Sequence, residues 1–184
     1  TLSLAYAFTD PLFERMTEVT GLPRDQVMLT CSHTHSGPIT RGIAGFPETD
    51  DEYLGVLGEK LVSVAKMALD TQQAVTVGFA RGEVQVGINR REMTPEGMKL
   101  GRNPEGPVAP YVDVMAVRDG EGGLLAAYFS HAAHPVVLGG DNYLISADYP
   151  GYAQRAIEAV YPGATALFAQ GCCGDINAER GDGT

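Results

Sequence analysis

Basic residues are scarce in this chain. Thirteen lysines and arginines stand against 23 aspartates and glutamates, a formal net charge of −10 over 184 residues. That balance excludes a basic patch for nucleic acid or an anionic membrane surface, both of which need concentrated positive charge. Long apolar runs are missing as well, and none could cross a bilayer as a helix. Cysteine is nearly absent: Cys31, Cys172 and Cys173 form no CxxC pair and no even-numbered framework, so they describe no disulfide scaffold. Cys31 reads as a small core residue, and the vicinal pair as part of a tight glycine-flanked turn. No internal repeat or low-complexity tract appears. The first residues carry no methionine and neither the basic head nor the cleavage pattern of a signal peptide. The expectation is a piece of a longer protein, cut at both ends.

What is present suits a folded domain. Hydrophobic residues make up 44% and charged residues 20% of the chain, enough to bury a core as one domain or as part of one. Histidine occurs four times, and its placement organises the reading. His33 and His35 lie in Cys31-Ser32-His33-Thr34-His35-Ser36-Gly37-Pro38, after the apolar run Val27-Met28-Leu29-Thr30. Residues 27–30 read as a buried strand. Alternation along it would turn His33 and His35 to one side and Thr34 to the other, with Gly37-Pro38 breaking the strand. Two imidazoles at a strand end suit a divalent metal, because neutral imidazole is a good borderline ligand. Two surface histidines are the plain alternative. His131 and His134 fall at the end of a second strand-like run, which favours the metal reading.

Along the chain, Asp10-Pro11 can open a helix as N-cap and first position, with Leu12, Met16 and Val19 on one face and Gly21 at its end. A start nearer Leu4 is the alternative, since Leu4 and Phe8 continue the spacing. Asp50-Asp51 caps a long helix with Leu54, Leu57, Leu61, Val64, Ala65 and Ala68 as its apolar stripe. Residues 75–80 and 83–88 read as strands, and 94–110 as a long irregular loop. Residues 112–117 and 124–129 read as a hairpin turning at Asp119–Gly123, its second strand delivering His131 and then His134, which Pro135 keeps extended. A helix from Ser146-Ala147-Asp148 to about Val160, with Tyr152, Ala153, Ala156, Ile157 and Val160 inward, precedes a last buried strand at 164–169. The fold class is therefore α/β, a mixed β-sheet with flanking helices. The polar motifs, and with them the metal site, sit at strand C-terminal ends, where open α/β sheets place ligands.

In this order the motifs resemble the neutral (non-lysosomal) ceramidase family. The match is Thr30–Pro38, Asn89-Arg90, His134-Pro135-Val136, Ile145-Ser146-Ala147-Asp148-Tyr149-Pro150-Gly151-Tyr152-Ala153, and Phe168-Ala169-Gln170 through Gly174-Asp175-Ile176. Together these span most of the chain from about Gly21. The resemblance implies part of a single catalytic α/β domain holding one zinc, Zn2+, and hydrolysing the amide of ceramide, or of a ceramide-like N-acyl lipid, to a fatty acid and an amine by zinc-activated water. It implies His33 and His134 as zinc ligands, His35 beside the metal facing the substrate, and Arg90 reaching the reacting amide. The family's other ligands, a glutamate and a tyrosine, match no motif in this sequence. Secretion is what the family implies for many members.

The chain departs from the family at Asn177-Ala178, where members often carry Ser-Pro, and the elements covering the family's lipid pocket are not identifiable. Zinc hydrolysis is thus better supported than ceramide as the substrate. Residue by residue, His131 reads as surface or packing, Asp148 as a helix cap or else a third ligand, and Asp175 as a turn anchor. Arg90 competes with Arg91 and with an ordinary surface ion pair. Two other classes remain: a TIM-barrel metal amidohydrolase, which the hairpin and proline-rich segment fit poorly, and a non-catalytic relative keeping the fold for binding.

Overall fold

Two stretches of chain build their hydrophobic interiors separately. The computed structural model describes residues 1–179, and these divide into one unit of Thr1–Cys31 with Pro38–Ala74 and a second of Ser32–Gly37 with the chain from Val75 onward.

The first unit is helical. Helix α1 (Tyr6–Thr20) begins before Asp10-Pro11, so Pro11 lies inside it and Ala5 is its N-cap. The earlier start is the one the Phe8–Leu12–Met16 spacing calls for. It brings Phe8 onto the face where Leu12, Phe13 and Met16 are buried, and that burial offsets the backbone bond proline cannot donate. Gly21, at φ +74°, closes the helix with its N–H on the Thr17 carbonyl, a left-handed position that glycine takes without strain. A 3-10 turn (Arg24–Gln26) follows. Helix α2 (Asp51–Asp70) starts where the sequence places it, with Asp50 Oδ1 accepting the Tyr53 N–H at 2.9 Å. Its Val62 joins the α1 face, with Leu61 and Ala65 packed around it.

The run at 27–30 is not a strand. It belongs to no ladder among the described residues. Val27 and Leu29 pack onto the helical core while Met28 is 73% exposed. The alternation is genuine, but helices, not strands, receive its apolar side.

The second unit carries two sheets. Strands β1 (Thr76–Glu83), β4 (Tyr111–Arg118), β5 (Leu124–His131) and β6 (Thr165–Gln170) form the larger, in the order β1-β4-β5-β6. The first two pairings are antiparallel and β5–β6 is parallel, so the sheet is mixed as expected. Helix α3 (Asp148–Val160) connects the parallel pair, and its Ala153 and Ile157 pack over Phe129, Ala166 and Phe168. Tyr152 and Val160, expected inward, point to solvent at 66% and 69% exposure; the Tyr152 ring lies under the Arg155 guanidinium instead.

Strands β2 (Gly87–Thr94), β3 (Gly97–Asn103) and β7 (Ile176–Ala178) form the smaller, antiparallel sheet in the order β3-β2-β7. Two expectations are corrected here. The strand placed at 83–88 is the end of β1, a link at 84–86, and the start of β2, because the chain changes sheets between Glu83 and Gly87. The segment 94–110 is not wholly irregular: β3 folds back on β2 through a turn at Gly97, φ +110°. Nearly all of β3 is exposed, so no buried face imprints a two-residue period on its sequence.

Candidate metal centre

Beyond β5 the chain runs through Ala132 and Ala133, both buried on Ile176 and Ala178, and presents His134. The His134 N–H donates to Ile176 O (2.9 Å) and its carbonyl accepts from Ala178 N (3.4 Å). Pro135 follows, keeping this residue extended, and His134 pairs with Asn177 in a parallel bridge. The ring is tied to the same strand, with Nδ1 at 3.1 Å from Ile176 O. A carbonyl can only accept, so Nδ1 bears the proton and Nε2 keeps its lone pair for a ligand, the arrangement by which metal-binding histidines are oriented.

His33 and His35 arrive on a turn. Thr34, 5% exposed, donates its hydroxyl to Ser146 O (2.8 Å) and accepts Ser36 N (3.2 Å). The His35 N–H donates to Pro135 O (3.3 Å), and Ser146 N to Ser36 O (2.8 Å). Asn142 Nδ2 donates to Ser36 Oγ at 3.0 Å. His33 sits at φ +61°, a left-handed conformation that is uncommon away from glycine and that recurs at functional sites. This bend, not strand alternation, turns both rings to one side.

The three imidazoles meet. Ring centroids lie 4.9 Å apart for His33–His134, 5.3 Å for His33–His35 and 5.6 Å for His35–His134, all edge to face. One nitrogen from each falls within 4.8 Å of the others. Imidazole nitrogens brought together from two separately anchored segments are donors of the kind a borderline divalent ion takes.

Arg90 lies alongside. Its Nε and Nη2 donate to Gly174 O at 3.2 and 3.0 Å, and its Nη1 to Asn177 Oδ1 at 3.3 Å. Because Asn177 is also the bridge partner of His134, the guanidinium is held next to the cluster. Its charge is felt there. His35 reaches solvent, yet the protein around its ring, helped by His33, His134 and Arg90 and opposed by Asp148, pushes it down to about 4. Burial likewise lowers His134, with Arg90 and His33 adding to it and the Ile176 carbonyl opposing. Both rings are therefore neutral at pH 7, the state a metal requires.

The remaining expectations divide. Of the two readings of His131, surface or packing, its burial fits the second, and its Nδ1 donates to Tyr111 O at 2.8 Å. Asp148 is 2% exposed at φ +55°; its Oδ1 accepts Tyr149 N (2.7 Å) and its Oδ2 accepts Leu138 N (3.3 Å). It opens α3 and stands outside the histidine group. Asp175 anchors its loop through Arg90 N on its carbonyl (2.8 Å) and Asn89 Nδ2 on Oδ2 (3.4 Å). Sequence reasoning missed Asn177 as a partner of Arg90. It also missed buried Cys173, whose Sγ is 3.7 Å from His134 Nε2; only adjacency to the glycine turn hinted at either.

Two solved structures share this fold. The crystal structure of neutral ceramidase from Pseudomonas aeruginosa superposes with a TM-score of 0.72 at 21% identity, over 94% of this chain and 29% of that one. A ceramidase complexed with C2 gives 0.75 at 22% identity with the same coverage. The fold is that of a neutral ceramidase segment. No family model and no curated protein matches the sequence. The chain spans about 29% of the length of these ceramidases.

Proposed function

We propose that this chain is part of a single ceramidase-like catalytic domain, a zinc-dependent hydrolase cleaving the amide of an N-acyl lipid to a fatty acid and an amine. The observation that carries the reading is the convergence of His33, His35 and His134 from two chain segments with Arg90 fastened beside them. The ceramidase fold of both neighbours supports the lipid amide as substrate class.

An amide resists hydrolysis because its carbonyl is a poor electrophile and its amine a poor leaving group. His33 and His134 would hold the ion, which would supply Lewis acidity and make water nucleophilic near neutral pH. His35, exposed and neutral, faces the substrate and takes or returns a proton at a ring nitrogen. Arg90 directs a guanidinium N–H at the carbonyl oxygen as it gains charge. A fixed donor there stabilises the transition state without reorganisation.

The test is the metal content of the full-length protein purified without chelator, wild type beside His33→Ala and His134→Ala, followed by hydrolysis of N-acyl lipids. About one zinc per chain, lost in both variants together with activity, is the expected result. A wild type that folds but carries no metal would sink the hydrolase and leave a binding protein on this frame.

A further inference from the structure

Consecutive residues of a regular strand point to opposite faces. Arg90 and Arg91 of β2 do not. The pairing of β2 with β3 is irregular between Asn89 and Arg91, and such bulges re-aim side chains beside functional sites. Asn89, 2% exposed, holds the bend with Oδ1 accepting Arg91 N (2.9 Å) and Nδ2 donating to Pro107 O (2.9 Å). Both guanidiniums consequently reach one atom: Gly174 O accepts Arg90 Nε and Nη2 at 3.2 and 3.0 Å and Arg91 Nη2 at 2.7 Å.

Two full positive charges are thus gathered at a single neutral carbonyl next to the histidines. In a chain with 23 acidic residues, neither forms an ion pair among the described residues, whereas Arg15, Arg81 and Arg102 each do. Asp175 is near enough to act on Arg90, but the oxygen with a described partner, Oδ2, faces Asn89. Of the five N–H groups a guanidinium carries, Arg91 commits only one, on Nη2, to the described protein. Like charges held this close, partly shielded from water and without an ion pair among the described residues, are poised for an anion with two oxygens.

We propose that Arg90 and Arg91 form a carboxylate-binding site beside the histidine cluster, with Arg91 as its specificity-determining member. The carboxylate is either a second functional group of the amide substrate, as in an N-acyl amino acid, or that of the fatty acid released. The assignment to a substrate rests on the amide-hydrolase reading; the carboxylate site itself does not.

The experiment uses the full-length, zinc-loaded protein and compares wild type with Arg91→Gln and Arg91→Lys. N-dodecanoylglycine and N-dodecanoylethanolamine differ at the amine side in one carboxylate. Wild type is expected to prefer the glycine conjugate in kcat/KM by about tenfold or more, the size of a charge-assisted hydrogen bond. Gln should bring the pair within about threefold, and Lys should recover part of the preference. Dodecanoate against dodecanol, as inhibitors and in direct calorimetric titration, separates the sources. Arg91-dependent dodecanoate binding without substrate preference assigns the site to the product. If neither amide is cleaved but dodecanoate binding still depends on Arg91, the hydrolase reading falls and the carboxylate site stands. Amide cleavage with no carboxylate preference and no Arg91-dependent binding overturns the proposal while leaving the hydrolase reading intact.

Discussion

The two sides of the histidine cluster are held in opposite ways. His134 hangs from a ladder: its N–H, its carbonyl and its ring Nδ1 are all engaged by β7, and the same strand supplies Asn177 to Arg90. His33 and His35 ride a turn, fastened by the Thr34 hydroxyl, by Ser36 and by single backbone bonds to Pro135 and Ser146. A ladder fixes position by repetition, so each bond is supported by its neighbours. A stapled turn relies on a few side-chain contacts, each with no backup. Damage to β7 should therefore move several functional groups at once, and damage to the turn only the two histidines it carries.

The sharpest probe of the ladder side is Arg90 itself. If the proposed amide hydrolysis holds, Arg90→Ala is expected to lower kcat of the full-length protein by about 10²–10³-fold, the usual consequence of removing one donor to a developing oxyanion, while zinc content stays at the wild-type level. Zinc lost together with activity would show that Arg90 holds the site together and does not serve the reaction.

Next in size is a break in β7 from behind. A Cβ placed on Gly87 would fall 2.5 Å from Ile176 Cγ2 and 3.5 Å from the Ala133 Cβ, and Ile176 is the residue whose carbonyl holds His134. Gly87→Ala should cost about 1–3 kcal/mol through overpacking, read as a lower denaturant midpoint, with zinc affinity and activity falling together. Stability lost with zinc binding unchanged would mean that β7 does not set the His134 ring.

These differences explain what could be read in advance. Helix α2 was legible because a capping aspartate and an apolar stripe agree, and the β4–β5 hairpin because a glycine-rich turn separates two apolar runs. His134 was legible because Pro135 dictates its backbone. On the turn side the same reasoning named His33 and His35 for an inexact reason: residues 27–30 alternate, but they line a helical core, and the φ of +61° at His33 leaves no periodic trace. Arg91 was named only as a competitor of Arg90; that the two reach the same carbonyl escaped because a bulge, which no pattern announces, cancels strand alternation. The staples escaped because Thr34 and Ser146 are 112 residues apart.

Thr34 tests the turn. Thr34→Val keeps shape and volume but removes the hydroxyl that donates to Ser146 O and accepts Ser36 N. Leaving both partners without it should cost about 1–2 kcal/mol and weaken zinc binding, with the response of Arg90-dependent substrate affinity left small. Equal losses on both sides would dissolve the contrast between ladder and turn.

The smallest effect is read in the metal-free protein as pH changes. Burial, chiefly, pushes His35 down to about 4 in the fold, against 6.5 for an unperturbed imidazole. Between these values the unfolded chain takes up the proton and the folded one does not, so stability must fall as pH drops through 6.5 towards 4. Carboxylates also titrate in this window, and the informative quantity is a difference. His35→Ala should lose less of its unfolding free energy than wild type between pH 7 and pH 4.5, whatever its stability at pH 7. Because His35 reaches solvent, the gap is expected to be modest and to narrow with salt, which screens the contribution of Arg90. Parallel pH profiles would mean that the turn leaves His35 as free as in an unfolded chain, and that its place beside the other two rings is not held by the protein alone.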